Sequence, residues 1–212
     1  MKKKIIIFDL DGVLFDSIAL TEQFFSERYP GLTKEMQLEI LRGNFHEGLK
    51  NITLPKKEQT EEEAKARSAL HTENKSKVPM YDGAKELLGA LHTEGYILAL
   101  NTSAYEKNCL PLLERAGVAS LFDFLGTAEI SKSKVDKFKV IEEKYGLDNK
   151  NVLFITDTVG DIREAGEVNV GTVAVTWGAH SKDYFTREKY KNLMGIVDTF
   201  EELKHFIVNN FK

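Results

Sequence analysis

Short apolar runs rich in β-branched residues alternate along this chain with stretches whose apolar residues fall three and four apart. The runs occupy residues 4–8, 96–100, 151–155 and 172–176, with shorter ones at 122–125 and 195–197. Their length and the turn residues that bound them predict buried strands. Residues 84–93, 108–116, 137–145 and 201–209 carry helical spacing between and after them. Thr199-Phe200-Glu201-Glu202 has the form of a capping box at the start of the last helix. Strands alternating with helices at this pitch predict an α/β fold, a parallel sheet with helices on both faces and right-handed crossovers. Ligands of such sheets bind beyond the carboxyl ends of the strands, so polar residues just after each strand are the candidates for chemistry.

One region breaks the alternation. Residues 16–79 contain no convincing strand, while 17–29, 34–41 and 61–71 read as helices. Residues 54–66 are rich in Lys and Glu and read as a solvated loop and helix face. The expected organisation is a core of residues 1–15 and 80–212, with a small all-helical domain, 16–79, inserted after the first strand. The length of 212 residues suits one large core with a smaller appendage.

The net charge of −4 and pI of about 5.8 offer no basic field for a nucleic-acid partner. Cys109 is the only cysteine, so no intrachain disulfide forms, which fits a reducing compartment. Met1-Lys2-Lys3-Lys4 before Ile5-Ile6-Ile7-Phe8 has the outline of a signal peptide, but Asp9 and Asp11 break the apolar run too early. No stretch approaches the ~18 apolar residues of a membrane span. The expectation is a cytoplasmic protein, monomer or homodimer, without a membrane or nucleic-acid partner.

The first strand runs into Phe8-Asp9-Leu10-Asp11-Gly12-Val13-Leu14-Phe15-Asp16. Two carboxylates two residues apart allow one to attack an electrophile and the other to move a proton. Packing two anions this close is costly unless a cation joins them, and Mg²⁺ suits an all-oxygen site. An Asp-rich turn capping a helix would carry the same letters.

This segment resembles the first motif, Asp-x-Asp-Gly-x-x-x-Asp, of the haloacid dehalogenase (HAD) superfamily of phosphohydrolases. The resemblance implies a Rossmann-like core with a helical cap, Asp9 as nucleophile and Asp11 as general acid/base. Asp16 matches the trailing Asp and reads as the N-cap of the next helix. Asn101-Thr102-Ser103 follows the second long strand; Thr102 aligns with the family's phosphate-binding hydroxyl, and Asn101 or Ser103 remains open. In Ser131-Lys132-Ser133-Lys134, Lys132 has the family spacing to an aromatic residue, Phe138, and is the expected phosphate lysine, with Lys134 the alternative. Asp157 and Asp161 resemble the acidic pair, with Thr156 where Gly is common. The stretch from Val175 to His180 and that around Phe200 resemble the phosphoglycolate-phosphatase-like branch.

What the resemblance implies is hydrolysis of a small phosphorylated metabolite through an aspartyl-phosphate. Mg²⁺ would be held by Asp9, Asp11 and Asp157, with Asp161 a ligand or an orienting partner. Thr102, Ser103 and Lys132 would hold the phosphoryl oxygens, and Arg42, in Arg42-Gly43-Asn44, would touch the substrate from the cap. A phosphomutase or a non-catalytic phospho-ligand-binding relative is the alternative. Leu20, Thr21 and Glu22 occupy the place where mutases of the superfamily commonly carry a histidine. The five histidines show no metal-ligand spacing. Cys109 reads as a small helix residue and Trp177 as a packing residue.

Overall fold

Ile5, Ile6, Ile7 and Phe8 lose all contact with solvent, and only a strand covered on both faces buries four consecutive side chains. The structure is a computed structural model that describes residues 4–146 and 148–211. Met1, Lys2 and Lys3, part of the stretch weighed above as a signal peptide, lie outside them. The buried run is β1 (Ile5–Phe8). It pairs in parallel with β2 (Ile97–Asn101) on one side and β4 (Val152–Thr156) on the other. Beyond these lie β3 (Phe124–Gly126), β5 (Gly171–Val175) and β6 (Leu193–Val197), giving the order β3-β2-β1-β4-β5-β6 with every pair parallel.

Alternate side chains feed two separate cores. Ile6, Phe8, Leu98, Leu100, Leu153 and Ile155 pack against α5 (Ala84–Thr93), α6 (Glu106–Ala116) and α10 (Phe200–Asn210). Ile5, Ile7, Ala99, Val152 and Phe154 pack on the opposite face against α7 (Lys134–Tyr145) and α8 (Val159–Glu167). This period of two is the reason the strands read as unbroken apolar runs. Thr199 accepts from Glu202 N at 3.1 Å and caps α10, as its motif predicts.

The stretch between β1 and α5 is helical. It contains α1 (Ile18–Arg28), α2 (Lys34–Ile40), α3 (Phe45–Lys50) and α4 (Glu61–Ser76). Thr33 and Asn44 cap α2 and α3, and Thr60 with Glu63 forms a complete capping box on α4. The chain leaves the core at Phe15 and returns at Met80, and these two residues form an antiparallel bridge. Sequence periodicity did not anticipate α3, a short helix stabilised by packing of Phe45 on Phe25, nor the last turn of α4. Asp16 is not the N-cap of α1: that place falls to Ser17, and Asp16 instead accepts from the Tyr81 hydroxyl at 3.3 Å. No helix among the described residues is long and apolar enough to cross a membrane.

Phe154 and Phe138 meet edge to face, with ring centroids 5.0 Å apart and both side chains fully buried. Phe154→Ala is expected to lower the unfolding free energy by about 3–5 kcal/mol, read from urea denaturation.

Candidate active site

The sheet register pairs Phe8 with Leu100 and with Ile155, so three adjacent strands end side by side. The residues that follow them are Asp9 after β1, Thr102 after β2 and Asp157 after β4. All three are buried and all line one cavity of about 370 Å³ at the carboxyl edge of the sheet. β1 is also where the strand order reverses, the place where open α/β sheets bind ligands. Gly12 turns the chain with φ of +73°, and a Cβ there would sit 2.1 Å from Asp157 Oδ2. Gly178 closes on the same carboxylate from the loop after β5, where a Cβ would sit 2.3 Å from Oδ2. Side chains at either glycine would displace the carboxylate.

One ammonium organises the acids. Lys134, at the first turn of α7, donates from Nζ to Asp9 Oδ2 at 2.7 Å and to Asp161 Oδ2 at 2.6 Å. Thr156, the residue found where Gly is common, donates its hydroxyl to the same Asp161 oxygen at 2.6 Å. Asp9 Oδ1 accepts from Leu10 N at 2.7 Å. Asp157 Oδ2 accepts from Ala179 N at 2.7 Å, while its Oδ1 is buried without a partner. Lys137 lies behind this layer and donates to the Thr102 carbonyl at 2.6 Å, fixing the β2 loop.

Burial pushes the Asp9 carboxyl up to about 7, against the pull of Lys134. Burial and the charge of Asp9 raise Asp157 well above the carboxylate range. Lys134 is raised, because its two carboxylate partners outweigh its burial. Burial, then Lys134, brings Lys137 down to about 8. Asp9 and Asp161 thus share one ammonium while Asp157 has none in contact, and a divalent ion would relieve this crowding of carboxylates. Among the described residues, no three His, Cys, Asp or Glu side chains converge to hold an ion alone. The available donors are Asp9, the unpartnered oxygen of Asp157, main-chain carbonyls and water. Such an all-oxygen, partly hydrated set fits Mg²⁺.

The helical stretch supplies a second ion pair. Lys75, buried in the last turn of α4, donates to Asp11 Oδ2 at 2.7 Å, and the Ser17 hydroxyl donates to Oδ1. Burial alone would raise Asp11, but Lys75 and these hydrogen bonds hold it below the usual range. With both side-chain oxygens engaged, Asp11 has its main-chain carbonyl left for a cation. Ser68, His71 and Lys75 all face the cavity from α4. Their three- and four-residue spacing is a helical signal, but Ser68 and His71 fall in an expected helix, 61–71, to which the sequence attaches no site role, and Lys75 falls beyond its expected end. Among the further contacts that hold the stretch to the core, two are buried. Gly160 N donates to the Leu41 carbonyl at 2.9 Å, in a contact too close for any Cβ at Gly160. The buried His180 accepts from Val159 N at Nδ1, and its Nε2 donates to the Leu38 carbonyl at 2.9 Å.

Two sequence expectations change. Lys132 is not the lysine at the carboxylates; that is Lys134. Ser133 caps α7 and Glu164 accepts from Lys134 N at 2.9 Å, which together start the helix one residue before the ammonium is needed. Arg42 does not line the cavity: its guanidinium donates to Glu39 at 2.9 Å and Glu188 at 2.7 Å on the outer surface. Thr102 and Ser103 both reach the cavity. Asn101 does not, because its amide donates to the Lys134 carbonyl at 3.2 Å. Trp177 packs on Phe200 and donates to the Val13 carbonyl at 3.1 Å.

A family model described as haloacid dehalogenase-like hydrolase matches residues 6–175. A probable phosphatase, IndB, of Dickeya dadantii is 27% identical over 95% of this chain and 92% of its own length. A phosphoglycolate phosphatase of Vibrio vulnificus is 28% identical over 82% of this chain and 84% of its own. The crystal structure of a predicted phosphatase from Clostridium acetobutylicum superposes with a TM-score of 0.72 at 22% identity, covering 98% of this chain and 99% of that one.

Lys134→Ala strands two buried carboxylates and is expected to cost about 3–5 kcal/mol in urea denaturation, whereas Lys132→Ala stays within about 0.5 kcal/mol. A second expectation follows from pH. With its carboxyl at about 7 when folded, metal-free protein binds the Asp9 proton more tightly than the unfolded chain does. This contribution is fully present below the ordinary carboxylate range and is lost as pH rises toward 7. Measured in chelator, the stability of Asp9→Asn relative to the parent should therefore grow by about 2–4 kcal/mol between pH 5 and pH 8.

Proposed function

Because the chain belongs to the haloacid dehalogenase-like hydrolases, we propose that it is a Mg²⁺-dependent phosphatase acting on a small phosphate monoester through an aspartyl-phosphate. The observation that carries this reading is the buried pairing of Asp9 with the Lys134 ammonium, beside an Asp157 oxygen that has no partner. A carboxylate so placed has a cation to steady its charge and those of an incoming phosphoryl group.

In the first step an Asp9 carboxylate oxygen attacks phosphorus. The phosphorus–oxygen ester bond breaks, and Asp11 gives its proton to the departing alkoxide. In the second step water attacks the same phosphorus and loses its proton to Asp11. Inorganic phosphate leaves and the Asp9 carboxylate is restored, so Asp11 ends as it began. Lys134 and the Thr102 and Ser103 hydroxyls, all on the cavity wall, hold the phosphoryl oxygens. Asp9, Asp157 and the Asp11 carbonyl would hold Mg²⁺, which when bound would neutralise the negative charge gathering on the phosphate oxygens. Asp161 touches Lys134 and not the cavity's reacting groups; its part is to aim the ammonium.

Helices α1–α4 act as a cap that excludes water and contacts the leaving group. The Lys75–Asp11 ion pair favours the ionised form of Asp11, the form needed to accept the proton of water. The first step needs Asp11 protonated, and the negative charge of a bound phosphate ester raises its pKa toward that form.

Phosphate release from a panel of monoesters, with Mg²⁺ or chelator, tests the reading. Asp9→Asn and chelator should each abolish release, and Asp11→Asn should slow it about 100- to 10,000-fold. Lys134→Ala should lower kcat/KM at least about 100-fold, and Lys132→Ala by less than about threefold. A folded Asp9→Asn variant that still releases phosphate would exclude Asp9 as nucleophile.

A further inference from the structure

The cavity over the carboxylates has two chemically different walls. Its sheet side carries Asp9, Asp11, Asp157 and Lys134. The wall facing it comes from the helical stretch, where Ile18, Phe24, Phe25, Leu41, Phe45 and Leu49 stand beside the polar Thr21, Ser68 and Lys75 and the imidazoles of His46 and His71. A smaller cavity of about 40 Å³ continues behind the same residues, so the apolar side has depth. Its rings already pack edge to face, with centroids 5.3 Å apart for Phe24–Phe25 and 5.2 Å for Phe25–Phe45. His71 lies against Phe24 at 4.1 Å.

Two polar atoms on this side have no hydrogen-bond partner although both are buried: His46 Nε2 and His71 Nδ1. Both imidazoles are held below their ordinary pKa, first by burial and next by nearby lysines, so each enters the cavity as a neutral hydrogen-bonding ring. Unpaired buried nitrogens are costly and are expected to meet a ligand atom.

The cations are engaged elsewhere. Lys134 is shared by Asp9 and Asp161, and Lys75 is on Asp11. Lys107 lines the cavity only as an exposed residue of α6, where a screened ammonium contributes little. A carboxylate or second phosphate on the leaving group would find these ammonium groups paired or exposed, and Phe24, Phe25 and Phe45 offer it no hydrogen bond.

We propose that this site selects phosphate monoesters whose alcohol carries an uncharged flat ring, aromatic or heteroaromatic, packed on Phe24, Phe25 and Phe45 with its polar edge toward His46 and His71. The proposal rests on the phosphatase reading for the place of the phosphate and adds the class of leaving group. Aromatic side chains bury large flat surfaces, and two neutral ring nitrogens satisfy the edge of a heterocycle.

The test separates binding from turnover. The full chain with Mg²⁺ is titrated with benzylphosphonate, phosphonoacetate and inorganic phosphate. Release is then measured from benzyl phosphate, pyridin-3-ylmethyl phosphate, phosphoglycolate, glucose 6-phosphate and acetyl phosphate. Benzylphosphonate should bind at least about tenfold tighter than the other two ligands, and the ring esters should exceed phosphoglycolate and glucose 6-phosphate at least about tenfold in kcat/KM. Phe45→Ala should reduce kcat/KM for benzyl phosphate about tenfold more than for acetyl phosphate. His71→Leu should erase any advantage of the pyridyl over the benzyl ester. Circular dichroism checks folding, and Phe24→Ala replaces Phe45→Ala if the latter unfolds. Preference for phosphoglycolate or glucose 6-phosphate, or an equal loss on all substrates in the phenylalanine variants, overturns the ring pocket and leaves the phosphatase reading intact. Preferential binding of benzylphosphonate without turnover of any ester overturns the phosphatase reading and keeps the pocket.

Discussion

The Lys134 ammonium, fully buried between Asp9 and Asp161, is the interaction on which the rest of the site depends. Asp9 and Asp157, at the ends of neighbouring strands, and Asp161, in the first turn of α8, repel one another, and burial removes the water that would screen them. One lysine makes the arrangement tolerable without neutralising it. Under the proposed reading, this crowding of carboxylates and the open oxygen of Asp157 would suit a divalent cation and then a phosphoryl group. The sheet positions this cluster. Because β1 pairs with both β2 and β4 in flush register, residues far apart in sequence emerge on one edge. The glycines at 12 and 178 then let two loops close on Asp157 where a methyl group would not fit.

The helical stretch answers this charged edge in two ways. Lys75 reaches down to Asp11, so the acid beside Asp9 has its own counter-ion, while its charge still helps to raise the Asp9 carboxyl. Above that contact the wall turns apolar and aromatic. The division places charge where phosphate would sit and excludes it where the leaving group would sit. Binding energy from a remote part of the substrate can then be used to desolvate and align the reacting end. The two parts also meet through the Phe15–Met80 bridge, the Gly160–Leu41 hydrogen bond, the His180 link, the Asn44–Glu164 hydrogen bond and the Arg42–Glu188 ion pair. A few loop residues joining two packed bodies are the usual place for a hinge.

Sequence alone determined the elements with a strong period and the residues tied to strand ends. The apolar runs became β1, β2, β4 and β5 because residues buried on both faces must be continuously apolar. Asp9, Asp11, Asp157 and Asp161 were legible because each follows such a run by a fixed short count, and strand ends deliver their next residues to one edge. Tertiary structure decided what no local spacing encodes. Lys132 and Lys134 are equivalent as letters, and only the cap at Ser133 and the bond from Lys134 N to Glu164 select which ammonium enters the core. Arg42 looks free in sequence and is claimed by Glu188, 146 residues away. Lys75, His46 and His71 sit in the helical stretch without any motif to mark them. They acquire meaning only when the stretch folds back over the sheet, because long-range packing sets burial and partners, which short-range periodicity does not report.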